Sequence, residues 1–238
     1  MLEINLQKEW HDAIYRRSSV RSYTGAPSEE QLSQLGELRR KLSWQGVTIR
    51  IFEGPGLRSA IRGTDVYAVI VAKEGTPPEY EGYMGEALVL EATAMGLGTC
   101  WLGAGFVPDI VSRNVNLDST EKIHCVISIG QCNPPSFAPK RKAIEKICGM
   151  TEQQLEGLGA WQAAAVRAAR LAPSAINLQP WKITVDSASL TVQNNAMLVK
   201  KYAGIDCGIC MLHAAVGAAS QGRNPKWRKT DEGYVMTA

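Results

Sequence analysis

The sequence opens with no long apolar run, and no leader is expected. Its first residues, Met1 to Trp10, are polar, and no later window reads as a membrane span, so a cytoplasmic protein with no membrane partner is expected. Strong charge is also missing. Lys and Arg number 26 against 23 Asp and Glu, and a net +3 gives no reason to expect nucleic acid or an anionic membrane as the main partner. No stretch reads GxGxxG, which excludes a dinucleotide-binding fingerprint. The six cysteines (Cys100, Cys125, Cys132, Cys148, Cys207, Cys210) follow no disulfide framework, as befits a reducing compartment. Cys207-Gly-Ile-Cys210 has no second pair at zinc spacing, so no metal site is expected. Its thiols read first as small buried apolar groups, with a redox pair as the alternative.

What is present is an ordinary folding chain. Its 238 residues, 45% hydrophobic and 21% charged, can bury a sizeable core in one large domain or two small ones. Glu3 to Arg17 spaces Leu6, Trp10, Ala13 and Ile14 along one helical face. Ser28 and Gln31 form a capping box that starts a helix running to about Leu42. Val47 to Phe52 alternates as a strand, and the apolar run Val66 to Ala72 suits a central one. Glu79 to Gly96 reads as a mostly buried helix whose Gly82, Gly85, Ala87, Ala92 and Ala94 would admit another helix. Glu86 and Glu91 are its polar exceptions, either surface positions or satisfied buried ones. Gly96 supplies a left-handed stop, and Thr99 to Gly105 reads as an open backbone that can present amides. Ile123 to Gly130 is a further strand.

Beyond residue 146 the pattern begins again. Thr151 to Leu158 and Ala160 to Ala172 read as helices, Trp181 to Val185 and Leu190 to Gln193 as a hairpin, Ile205 to Ser220 as a helix and Gly233 to Thr237 as a strand. The repeated order predicts an α+β protein, an antiparallel-rich β-sheet flanked by helices, in two related halves, 1–146 and 147–238.

Three segments carry polar chemistry. Arg16, Arg17 and Arg21 with Ser18 and Ser19 have the forks and hydroxyls that a phosphate monoester needs, and equally those of a solvated basic helix end. Ala172 to Trp181 follows a helix stopped by Pro173. Its Ser174, Asn177 and Gln179 could ring a flat heteroaromatic ligand or serve ordinary turn chemistry. Pro139-Lys140-Arg141-Lys142 is a third basic stretch, in which Lys140 and Lys142 point one way on an extended chain and Arg141 the other.

APSAINLQPW resembles the APSxxNxQPW signature of the nitroreductase superfamily. Arg16 to Arg21 resembles its RRSxR element, and Gly96-Leu-Gly-Thr-Cys-Trp101 its GLGTCW element. The resemblance implies a nitroreductase-like fold and FMN as cofactor. It assigns the phosphate to Arg16, Arg17, Ser18 and Arg21 with Lys140 and Lys142, the ring to Trp101 and the Leu102 and Gly103 amides, and the rim to Pro173, Ser174, Ala175, Asn177 and Gln179. Partners would be NAD(P)H and a small aromatic acceptor such as a nitroaromatic or quinone, used in ping-pong order, with no catalytic side chain named. Flavin storage or sensing without turnover is the alternative. In the family, RRSxR and the PSxxN loop at one flavin come from two subunits. Here each occurs once, in different halves, and this implies an internal pseudo-dimer with one flavin per chain, able to act as a monomer. Trp44, Tyr80 and Tyr83 are candidates for an aromatic substrate lip. His213, in the Ile205 to Ser220 helix, is expected to be a packed residue rather than a catalyst.

Overall fold

Capping and breaking residues set the boundaries of the first elements. The computed structural model describes residues 4–133 and 140–238, so Pro139 of the basic stretch and Glu3 of the first expected helix lie outside them; residues 4–8, expected in that helix, are not helical. Helix α1 is Glu9–Arg16, with Trp10, Ala13 and Ile14 buried on the expected face. Helix α2, Glu29–Leu42, starts at the Ser28/Gln31 capping box, in which Ser28 Oγ accepts from the Gln31 amide at 3.2 Å and Gln31 Oε1 from the Ser28 amide at 2.9 Å. Strands β1 (Val47–Glu53) and β2 (Val66–Lys73) follow, the second buried along all but its last residue. Helix α3, Pro78–Ala94, takes its proline at the first turn, where no amide partner is lost.

The chain then departs from the loop expected after α3. Met95 caps the helix, Gly96 turns at φ 82°, and Leu97–Leu102 is a strand, β3, instead of an open backbone. Gly98 in LGTCWL weakens the strand signal, but the residues pair one for one with β4, Glu121–Gln131, and that partner decides the conformation. Between them lies α4, Pro108–Asn114. After α5 (Ile144–Cys148) and α6 (Glu152–Glu156, with a Thr151/Gln154 capping box) come α7 (Ala160–Arg170), β5 (Trp181–Val185), β6 (Ser189–Asn194), α8 (Lys200–Ala219), β7 (Lys226–Thr230) and β8 (Gly233–Thr237).

Among the described residues the strands form two antiparallel four-stranded sheets, ordered β1-β2-β4-β3 and β5-β6-β8-β7. Numbered from each sheet's first strand, the orders are the same. The chain separates into two compact units. One comprises Arg16–Pro77 and Met84–Pro139 and holds the first sheet; the other comprises Met1–Tyr15, Pro78–Tyr83 and Lys140–Ala238 and holds the second. The first unit's core gathers Tyr67, Val69 and Val71 from β2, Cys100 and Leu102 from β3 and Val126 from β4.

In the second unit α8 packs along α7 and over β5 and β6. A side chain at Gly82 would overlap the Ile205 carbonyl, and one at Gly208 the Glu79 carbonyl, so the start of α3 meets α8 backbone to backbone. Helix α8 corrects the expectation that no window approaches a membrane span. It is long and apolar enough by composition, with a mean hydropathy of 1.3, but 89% of that window is buried inside the protein, as in a core helix.

Candidate functional site

The arginine segment and the GLGTCW strand are built side by side. After α1 the chain runs extended along the outer edge of β3: Ser19 bridges Thr99 in parallel, and the Val20 amide donates to the Thr99 carbonyl at 2.9 Å. The Arg62 amide then donates to the Arg21 carbonyl at 3.0 Å, and the Tyr23 amide to the Arg62 carbonyl at 2.8 Å. Arg16 and Arg21 are exposed and Ser18 is half-buried.

Arg17 differs from both. Its side chain is only 4% exposed, and its guanidinium faces Glu86 Oε1 across 4.0 Å, too long for a hydrogen bond. Burial pulls its pKa down while Glu86 opposes that shift. Its five N–H groups thus have no protein acceptor at hydrogen-bond distance among the described residues.

The ladder between β3 and β4 decides which amides can serve one. The Thr99 carbonyl faces outward to Val20, so by alternation the peptide groups of Gly98, Cys100 and Leu102 face β4, with Leu102 opposite Val126. Leu102 is thereby corrected as a ligand donor, since its amide points into the sheet. After it the chain bends over Gly103, Ala104 and Gly105 and leaves the ladder. The indole Nε1 of Trp101 donates to Glu86 Oε2 at 2.7 Å.

Two arginines missed by the sequence reading flank this bend. The Arg58 amide donates to the Gly105 carbonyl at 3.1 Å and its Nε to the Phe106 carbonyl at 2.9 Å; Arg62 is the residue bonded to Arg21. Both are exposed. A signal existed in Leu57-Arg-Ser-Ala-Ile-Arg62, a basic loop framed by Gly56 and Gly63.

The Pro173–Gln179 loop, in the other unit, has the opposite character. A single 3-10 turn, Ala175–Asn177, carries Ile176 and Asn177 at positive φ, with Gln179 following at 48°. Ile176, β-branched at φ 45°, is strained and 80% exposed. The polar side chains are satisfied within the loop and the basic stretch. Asn177 Oδ1 accepts from Arg141 Nη1 at 3.1 Å, and its Nδ2 donates to the Lys140 carbonyl at 3.0 Å. Gln179 Oε1 accepts from the Lys142 amide at 2.8 Å, and the Ser174 hydroxyl oxygen from the Gln179 amide at 2.8 Å. Lys142 Nζ donates to the Gln179 carbonyl at 3.0 Å, so that ammonium is anchored to the loop, while Lys140 is exposed. Pro173 is buried. The Ala175 amide donates to Asp206 Oδ1 on α8 at 3.0 Å; burial pushes that carboxyl's pKa up to about 7, the bond opposing the shift.

A family model described as "Putative TM nitroreductase" matches residues 9–218. The chain belongs to this nitroreductase family. A structure from Thermotoga maritima described as a "putative nitroreductase" shares the fold, with a TM-score of 0.74 at 24% identity over 100% of this chain and 97% of that one. An FMN-dependent nitroreductase from Clostridium difficile (16% identity, TM-score 0.45, covering 54% of this chain and 90% of its own) is also similar. So is a nitroreductase family protein from Streptococcus pneumoniae (10%, TM-score 0.49, 59% and 98%). No match is found among curated proteins.

The structure places further residues of this nitroreductase-family chain. Tyr83 is 1% exposed and belongs to the core, which removes it from a substrate lip. Tyr80 stacks edge-on with Tyr234 at 6.4 Å, and Trp44 closes a tight bridge with Val47. Cys207 and Cys210 are buried, and burial drives both thiols up, away from the thiolate that redox exchange needs. His213 is fully buried in α8, its Nδ1 3.2 Å from the Ala168 carbonyl oxygen.

Proposed function

We propose that the chain binds FMN and works as an NAD(P)H-dependent oxidoreductase, passing electrons to a nitroaromatic, quinone or similar acceptor in ping-pong order. The observation that carries this is Arg17, a buried cation without a protein hydrogen-bond acceptor among the described residues, inside the segment that resembles the family's phosphate motif. Arg16, Ser18 and Arg21 lie along the same segment and complete an anion cradle. Trp101 and Gly103 keep the ring assignment that the motif implies, at the electron-rich edge where oriented donors would stabilise charge without an acidic side chain. Bound FMN would supply the hydride acceptance and onward electron transfer. Pro173, Ser174, Ala175, Asn177 and Gln179 keep the rim assignment that the motif implies. Their mutual hydrogen bonds give that lip a fixed shape.

The test is anaerobic. Protein loaded with FMN should bleach when NADH or NADPH is added and recover its colour with a quinone or nitroaromatic. Flavin that binds but stays oxidised would leave a storage or sensing protein, and protein that takes up no FMN would overturn the proposal. Mixing an Arg16→Ala with an Asn177→Ala variant tests the single-chain arrangement. Restored flavin binding would mean that separate chains share one flavin, and no restoration is expected.

A further inference from the structure

We propose that Glu86 is a positioning residue that ties the phosphate arm of the flavin site to its ring arm. It holds Arg17 on one carboxylate oxygen and Trp101 on the other. This rests on the FMN reading above. Glu86 sits inside α3 with no exposed surface, and a carboxylate buried so completely persists only where cations or donors meet it. Its two oxygens divide the work. Oε2 accepts a hydrogen bond from the Trp101 indole N–H at 2.7 Å, a charge-assisted bond that fixes β3 just ahead of the Gly103 bend. Oε1 faces Arg17 Nε at 4.0 Å, near enough to hold the guanidinium by charge and too far to occupy its N–H groups. The residue before it is glycine for a reason visible here. A side chain at Gly85 would overlap the Trp101 ring, so only glycine lets the indole lie against α3 within reach of Glu86.

The arrangement aims Arg17 without using it up. Were Glu86 a hydrogen-bonding partner at ordinary distance, the fork would be filled; were it absent, the buried cation would have no fixed direction. The Ser19–Thr99 bridge already joins the two segments through backbone, and Glu86 joins them through side chains.

The experiment compares FMN with riboflavin, which lacks the phosphate, by titrating each against wild type, Glu86→Gln and Trp101→Phe. The ratio of the two affinities isolates the phosphate arm from the ring arm. Glu86→Gln retains an acceptor for Trp101 but not the charge on Arg17, and should lower the FMN-to-riboflavin ratio by about tenfold, the scale of one charge-assisted hydrogen bond. Trp101→Phe, which frees Glu86 from its anchor, should lower the ratio in the same direction by roughly two- to threefold. If Glu86→Gln does not fold, Trp101→Phe alone decides. An unchanged or raised ratio in a folded variant overturns the positioning role, because Glu86 would then only neutralise Arg17. A wild type that binds neither flavin, or both equally, overturns the FMN reading itself.

Discussion

The arginine cradle and the Pro173–Gln179 loop are both rich in hydrogen-bonding groups, but they use them in opposite ways. In the loop, Asn177 is bonded at both ends of its amide, Gln179 at both ends of its own, and Lys142 reaches back to the Gln179 carbonyl. In the cradle, Arg17 is buried like Gln179, yet among the described residues its N–H groups have no acceptor closer than a carboxylate at 4.0 Å. A polar residue completed by its own neighbours shapes a surface. A buried one left incomplete is set up for something that arrives later. Under the proposed FMN reading, the loop contributes form and the cradle contributes binding.

The sharpest way to break this contrast is at Arg17. Arg17→Met should weaken FMN binding by about ten- to a hundredfold, the loss of one or two charge-assisted hydrogen bonds, and leave riboflavin almost unaffected; competitive titration reads both. The next effect concerns stability and pH. Asp206, which anchors the loop through the Ala175 amide, has its carboxyl raised to about 7 from an ordinary value of 3.8. The native state thus holds a proton that the unfolded chain has already released. Stability from this group is complete below about pH 4, declines as pH rises through 7, and is flat beyond. Denaturant melts of wild type and Asp206→Asn from pH 4 to 8 should diverge by an amount on the order of a few kcal/mol, the asparagine variant lacking the decline. Subtracting the variant removes the opposite trend of Glu121, Asp118 and Asp186, whose pKa values are lowered and which lose stability in acid.

Smaller effects sharpen the loop's side of the comparison. Asn177→Ala removes two bonds to the basic stretch and should cost about 1–2 kcal/mol, a fall in Tm of several degrees. Ile176→Gly relieves a β-branched residue from φ 45° and should stabilise the protein by roughly 1 kcal/mol, read in the same melt. Cys207→Ala should leave the rate of flavin reduction by NAD(P)H unchanged, since that thiol is buried and far from ionising.

Regular elements were legible where one residue fixes a boundary or a run fixes a face. The Ser28/Gln31 box, the uninterrupted Val66–Ala72 stretch, and Trp181–Val185 and Gly233–Thr237 all formed where patterning placed them. β3 was not legible, because its conformation comes from β4 and not from LGTCWL itself, and β7 hid because KWRKT is a polar strand with Trp227 as its buried residue. The site divides in the same way. Motifs pointed to Arg17 and to the loop, but pattern alone could not show that Leu102 turns its amide into the ladder, that Arg58 and Arg62 attach to the two motif segments, or that Glu86 is satisfied in the core by Trp101. Each of those depends on a partner distant in sequence.

Equilibrium titration of the wild-type protein with FMN and with riboflavin tests the central claim most directly, because the two ligands differ only in the phosphate that Arg17 is held to meet. FMN is expected to bind at least about tenfold more tightly, the contribution of a charge-assisted hydrogen bond to an otherwise identical ring. Equal affinities, or no binding of either, would contradict the account.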